Sequence, residues 1–282
     1  MLEFTLFHII LIIIFGIFIG IIGSSMGIGG GAFIVPFLVL VFGVPIKNAI
    51  AISLVSIIAT SSAVASVNVE RGLTNVRLGI FLEMSMAIGS IVSTFLMMKS
   101  NSSIIQLLFS FMLLPVALTM FFKAKKSKKT EYKDLFLNEE KEAKNVFSFF
   151  DPSLGRNVSY KPEKLKMAFF FSFFGGVMSG LFGLGGGIIQ VPVMNILCKV
   201  PIKAATATSN FMIGLSACAS VIILYKNGYV LGKLATFLVI GVVIGSMIGM
   251  KILYKAKASS IQMFFSFLLM FLSFKMMLDI LK

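Results

Sequence analysis

Long apolar runs separated by short polar or glycine-rich stretches recur along the chain, and they predict helices. In the first half the runs are Leu6–Met26, Ala49–Val67, Leu78–Met98 and Ile104–Phe122. In the second they are Ala168–Phe182, Ala205–Tyr225, Leu234–Tyr254 and Ile261–Ile280. Most approach the ~20 apolar residues that cross ~30 Å of hydrocarbon. Two more runs, Ala32–Phe42 and Ile188–Leu197, are too short, since eleven helical residues rise only about 17 Å. Each short run follows a glycine cluster, Gly27-Ile28-Gly29-Gly30-Gly31 or Gly183-Leu184-Gly185-Gly186-Gly187. Each cluster is followed by a proline, Pro36 or Pro192. Glycine loosens the backbone and proline removes a donor, so both are poor choices for a helix that simply crosses a bilayer. The pattern predicts a helix that stops at the glycines and turns back as a half-length helix. Irregular backbone at membrane depth needs protein or water around it, so the turns are expected to face an internal cavity.

The two halves repeat. Shifted by 156 residues they align without a gap, and 14 of 34 positions are identical between Gly20–Ser53 and Gly176–Ser209. The matches include the four cluster glycines, Pro36/Pro192, Val44-Pro45-Ile46-Lys47 against Val200-Pro201-Ile202-Lys203, and Ser53/Ser209. Fainter matches such as Gly72/Gly228 and Gln106/Gln262 keep the register. Shared apolar composition alone would not align Gly, Pro, Lys and Gln. The chain reads as a first transmembrane repeat (1–122), a charged linker (123–166) and a second repeat (167–282), the plan of many secondary transporters. A re-entrant hairpin plus three crossings gives each repeat an odd number of passes, which inverts one half relative to the other. The expected fold is therefore all-α, a polytopic helical membrane protein of two inverted repeats with paired broken helices.

Composition agrees. The chain is 58% hydrophobic and 13% charged, with mean hydropathy +1.01. The short alternating segments of a β-barrel are absent from the sequence. Of its 25 Lys and Arg, twelve lie between Lys123 and Lys166, within a net charge of +14. That cluster fits a cytoplasmic loop under the positive-inside rule, or a loop that binds acidic lipid or regulates. With the linker inside, inversion also places Lys199, Lys203, Lys251, Lys255 and Lys257 inside, and Lys226 and Lys233 outside. The basic residues are not organised on a folded domain, which argues against nucleic-acid binding. Cys198 and Cys218 lie in apolar surroundings with no disulfide or metal spacing, as small packing residues do. No cofactor or metal site is expected. The N-terminal apolar run lacks a Lys/Arg-rich start and continues into the first glycine cluster, which reads as a retained helix.

The glycine turns are the candidate site. Consecutive backbone N–H groups can converge on an anion, and a helix starting just after them adds unpaired N–H groups and its positive end. Glycines also let helices pack closely, which is the competing role. Side-chain donors near the turns are Ser53, Ser56 and Thr60 in the first half, and Gln190, Thr206, Thr208, Ser209 and Asn210 in the second. Ser53 and Ser209 occupy one repeat position. Gln190 has Ile34 as its counterpart and Asn210 has Leu54, so the pocket is expected to be asymmetric. Glu83, opposite Val239, is the only acidic residue well inside a run. It could carry a coupling proton or pair with Arg77 or Arg71. Lys47 and Lys203 could attract anions at a cavity mouth or simply snorkel to the interface.

At the doubled motif Gly-x-Gly-Gly-Gly-x4-Pro the chain resembles the sulfite exporter TauE/SafE family of probable membrane transporters, over both repeats. The matching positions are Gly27, Gly29, Gly30, Gly31 and Pro36, then Gly183, Gly185, Gly186, Gly187 and Pro192. The resemblance implies transport of small anions, often sulfur oxyanions or organosulfonates such as sulfite and sulfoacetate, across the bacterial cytoplasmic membrane. The linker looks longer than in compact members, which bears on regulation more than on fold. The sequence leaves homo-oligomerisation open.

Other classes fit less well. Gly23-Ser24-Ser25-Met26-Gly27 matches Gly-x-Ser-x-Gly, but that motif needs a strand–turn–helix setting and a histidine base. The sole histidine, His8, lies about 25 Å away along the helix, and Leu181 replaces Ser25 in the second repeat. A membrane scaffold or receptor has no need of paired mid-membrane breaks. No nucleotide-binding loop is present in the sequence, so gradients or a partner must supply the energy.

Overall fold

A computed structural model describes residues 6–26, 29–126, 146–151, 155–253 and 258–280. Gly27, and the linker between 127 and 145, fall outside them. The first half contains α1 (Leu6–Met26), α2 (Gly31–Phe42), α3 (Ile46–Glu70), α4 (Val76–Lys99) and α5 (Ser102–Lys126). The second contains α6 (Leu165–Phe182), α7 (Gly187–Pro192), α8 (Ile202–Lys226), α9 (Gly232–Leu253) and α10 (Ala258–Ile280). α7 continues as a π-helical turn, Val193–Leu197. Six helices are long and apolar enough to cross a membrane among the described residues, the longest being α3 and α8 with 25 residues each.

Local chemistry explains the boundaries. α3 and α8 both start after a proline, Pro45 or Pro201, whose extended ψ lies near 137° in each. A residue before a proline avoids the helical region, so Val44 and Val200 are where the preceding helix must already have ended. α2 ends on left-handed Gly43, and Val44 N–H then bonds the Leu38 carbonyl at 3.0 Å. The second repeat reproduces this closure, Val200 N–H to the Met194 carbonyl at 3.0 Å, but with Lys199 in the left-handed position at φ 53°. Asn75 caps α4, its side chain accepting from Leu78 N–H.

Each half contains a helix hairpin that turns at the glycines. Gly30 packs on Ile19, Phe37 stacks on Phe15, and Phe42 meets His8, so α2 runs back along α1. α7 and its extension return along α6 in the same way: Gly186 lies on Gly175, Gln190 bonds Ser172, and the Cys198 carbonyl accepts from Glu163 N–H.

The hairpins are held by the opposite half. α1 lies parallel to α9, with Gly16 against Gly241, Gly20 against Gly245, and Gly249 against Ile21. α6 lies parallel to α4, with Gly176 against Met86 and Gly180 against Ser93. A Cβ on Gly20 or Gly176 would run into a facing backbone carbonyl, so the small residues set these close axes. The 156-residue shift exchanges one helix pair for the other. At the centre α3 and α8 are antiparallel. Asn48, at the start of α3, donates to the Tyr229 carbonyl just beyond α8, while Asn75 N–H, just beyond α3, donates to Thr208 of α8. The buried core includes Ile50, Ile57, Leu82, Met86, Met212 and Ile213, while Phe111, Phe171, Phe267, Phe271 and Phe274 point outward. An apolar exterior around a partly polar interior suits lipid as the solvent.

The fold is helical as expected, and the linker adds an antiparallel hairpin, β1 (Phe147–Asp151) and β2 (Arg156–Tyr160). Phe149 and Tyr160 are buried against the helical body. Asp151 pairs with Lys203 at 2.6 Å, and Asn75 donates to the Tyr160 hydroxyl at 3.3 Å. Two strands alone are marginal, so docking supplies what the ladder lacks.

Candidate substrate site at the paired glycine turns

The turns of the two halves meet in the middle of the molecule. A Cβ on Gly29 would lie 3.0 Å from Ile213 and 3.1 Å from Ile57, and one on Gly185 would lie 3.3 Å from Ile57 and 3.5 Å from Ile213. Ile57 and Ile213 are themselves repeat counterparts, so each turn touches the same residue pair. Gly31 faces the Gly183 carbonyl, which also accepts the Ser53 hydroxyl at 2.8 Å.

The backbone explains why glycine is required here. Gly29 and Gly30 have φ of 75° and 79°, and Gly185 and Gly186 have 70° and 71°. Side chains strain at such angles, and successive left-handed residues turn the chain within two positions. α2 then begins with Phe33 and Ile34 N–H both directed at the Gly30 carbonyl, and α7 with Ile189 and Gln190 N–H both directed at the Gly186 carbonyl. Helix geometry gives the N–H groups of Gly31 and Ala32, and of Gly187 and Ile188, no intrahelical acceptor. Gly29, Gly30, Gly31, Gly183, Gly185, Gly186 and Gly187 are all buried. Their Cα faces pack on Ile19, Ile57, Met86 and Ile213.

The polar residues divide. Ser53 is fully buried with its proton already given to Gly183. Ser56 and Thr60 bond carbonyls of their own helix, at Ile52 and Ser56. Thr208 accepts from Asn75 N–H. Ser209 and Asn210 are buried on α8. Gln190 is fully buried, donating to Ser172 at 3.0 Å and to the Met212 sulfur at 3.7 Å, while its Oε1 has no partner. Pro36 is buried and Pro192 exposed, so the prolines are not equivalent in space. Gly27 lies outside the described residues. Glu83 is 6% exposed, and neither of its oxygens has a hydrogen-bond partner, which removes pairing with Arg77 or Arg71.

Lys47 and Lys203 are not at the turns. Lys47 donates to the Met98 carbonyl, and Lys203 is held by Asp151. The hairpin contacts were not legible beforehand. Burial pushes the pKa of the Tyr160 hydroxyl up to about 12, against the Asn75 hydrogen bond.

Crossing helices, an apolar exterior and two broken helix pairs meeting at the centre define a multi-pass membrane transporter. The sequence profile of the Sulfite exporter TauE/SafE family matches residues 12–276, and the chain belongs to that family. It is similar to the probable membrane transporter protein YunE of Bacillus subtilis, 28% identical over 261 residues covering 90% of this chain and 92% of that protein. It is also similar to a probable membrane transporter protein of Methanocaldococcus jannaschii, 28% identical over 289 residues covering 95% and 94%. No solved structure matches the chain.

Proposed function

We propose that the chain is a secondary transporter of the cytoplasmic membrane that carries a small anion by alternating access. The cargo is a sulfur oxyanion or organosulfonate of the sulfite or sulfoacetate kind. The amide groups at the starts of α2 and α7 hold its oxygens, with Gln190, Ser209 and Asn210 tuning selection. Ser53 sets the Gly183 turn. One observation carries the reading: the left-handed glycine turns of both halves pack on Ile57 and Ile213, so two helix starts share one central region. Amide dipoles bind an anion there without a buried formal charge, and low dielectric strengthens the contact. The family's name, with its sulfite export, supports the cargo class.

The two halves are inverted repeats. Counterpart helices α3 and α8 run antiparallel, and the parallel pairs α1/α9 and α4/α6 exchange under the repeat. Alternating access follows if one half's hairpin rocks against the other. The basic linker stays cytoplasmic. The test is counterflow of labelled sulfite and sulfoacetate in proteoliposomes. Saturable exchange of at least one is expected, whereas a flat response across a panel of small anions leaves a scaffold or receptor as the answer.

A further inference from the structure

Among the described residues, the buried polar atoms without a hydrogen-bond partner include both carboxyl oxygens of Glu83 and Oε1 of Gln190. Neighbouring contacts place the two residues at one junction. On the buried face of α4, Gly79 lies against Thr208 and Phe211 of α8. Two turns on, the Met86 carbonyl faces Gly176 of α6 and the Met86 side chain reaches Gly186 at the start of α7. Glu83 lies between these contacts and faces the place where α6, α7 and α8 converge. Gln190 occupies that place, with its amide nitrogen on Ser172 of α6 and Met212 of α8 and its Oε1 beside Gly175.

The repeat gives an independent indication. The counterparts of Glu83 and Gln190 are Val239 and Ile34. Both members of the pair are polar in one half and both apolar in the other, as expected of two groups that serve each other. A carboxylate without a partner at this depth is strongly disfavoured, while a carboxylic acid supplies the missing donor.

We propose that Glu83 is a proton-binding site whose acid O–H donates to Gln190 Oε1, linking α4 to the broken helix α7. When the proton leaves, the donor is lost and two acceptors face each other. α7 is then released from α4, and the negative charge must meet water or a cation. In role this rests on the transporter reading: the proton becomes the coupled ion, because Gln190 lies on the helix whose start holds the cargo. Within its span α8 carries the partly buried thiol of Cys218. α8 also carries Lys203, held by Asp151, and exposed Tyr225 and Lys226 at its far end. α6 brings exposed Lys166 in its first turn, and α3 brings Lys47 and Glu70 at its two ends. α4 itself has Arg77 and Lys99 at its ends, and α7 has no titratable side chain.

Infrared spectra of the reconstituted full chain test this without using a transported cargo. Wild type at neutral pH should show a protonated-carboxyl stretch that is absent from Glu83→Gln. The same band should move to the frequency of an acid without a hydrogen-bond acceptor in Gln190→Leu. Glu83→Gln keeps the volume and a donor, so it should insert and fold. A neutral-pH spectrum without a Glu83-dependent acid band, or a band unmoved by Gln190→Leu, overturns the proposal. In counterflow, an imposed proton gradient should change wild-type sulfite flux but not Glu83→Gln flux. A gradient response retained in Glu83→Gln also overturns it. Failure of sulfite exchange in wild type would count against the cargo reading, while the acid band would still decide the proton site.

Discussion

Single residues decide whether the two turns can meet. The Ser53 hydroxyl is the donor to the buried Gly183 carbonyl, which lies inside the opposite half's turn. Ser53→Ala leaves that carbonyl without this donor and should cost about 1–3 kcal/mol, the usual penalty for an unsatisfied buried group. A lowered midpoint in thermal unfolding of the purified protein would register it, and an unchanged midpoint would mean that the bond does not hold the turn. The same scale shows what sequence could reveal. Gly29, Gly30, Gly185 and Gly186 were legible as turn positions because only glycine suits left-handed backbone in such apolar surroundings. That Gln190 would meet Ser172 was not legible, because it depends on how closely α7 returns along α6. Ser53 stands out in the sequence from its repeat position, and its proton goes to the Gly183 carbonyl.

At the level of elements, the helices followed from apolar length and from the prolines that begin α3 and α8. The linker hairpin did not. β1 is five residues long, too short for its alternation to stand out beside a charged stretch, and its stability comes from Phe149, Tyr160 and Asp151 docking on the helices. Asp151 is nearly inaccessible and pairs with a half-exposed Lys203. Removing the lysine takes a charged partner from a buried carboxylate, which costs more than losing a surface pair. Lys203→Met should therefore loosen the hairpin and speed protease cleavage of the linker roughly tenfold, equivalent to about 1.4 kcal/mol. Asp151→Asn should have a smaller effect, since it removes the charge that needs the partner. Equal cleavage rates in wild type and Lys203→Met would show that the strands dock through their rings alone.

For the whole molecule, the exchange of helix partners between halves makes orientation testable. Glu70 ends α3 and its counterpart Lys226 ends α8, and both are exposed. In a background with Cys198 and Cys218 replaced by serine, Glu70→Cys and Lys226→Cys should react with an impermeant maleimide from opposite sides of the membrane. Labelling from one side only would mean parallel halves and would remove the basis for rocking. In the sequence the repeat rests on Gly, Pro and Lys that hold register over 156 residues. The pairing of α1 with α9 and of α4 with α6 was not readable, since small-residue contacts between distant segments leave no local pattern.

The central claim is that the amides at the paired glycine turns receive the anion. Gly30 and Gly186 sit at φ of 79° and 71° at the two helix starts, and a leucine at either position displaces the turn against Ile19 or Gly175. The most direct measurement is initial anion counterflow by Gly30→Leu and Gly186→Leu beside wild type, with membrane-inserted protein quantified in the same vesicles. The account predicts normal insertion with flux reduced to the protein-free background in both variants. Wild-type flux in both would contradict it.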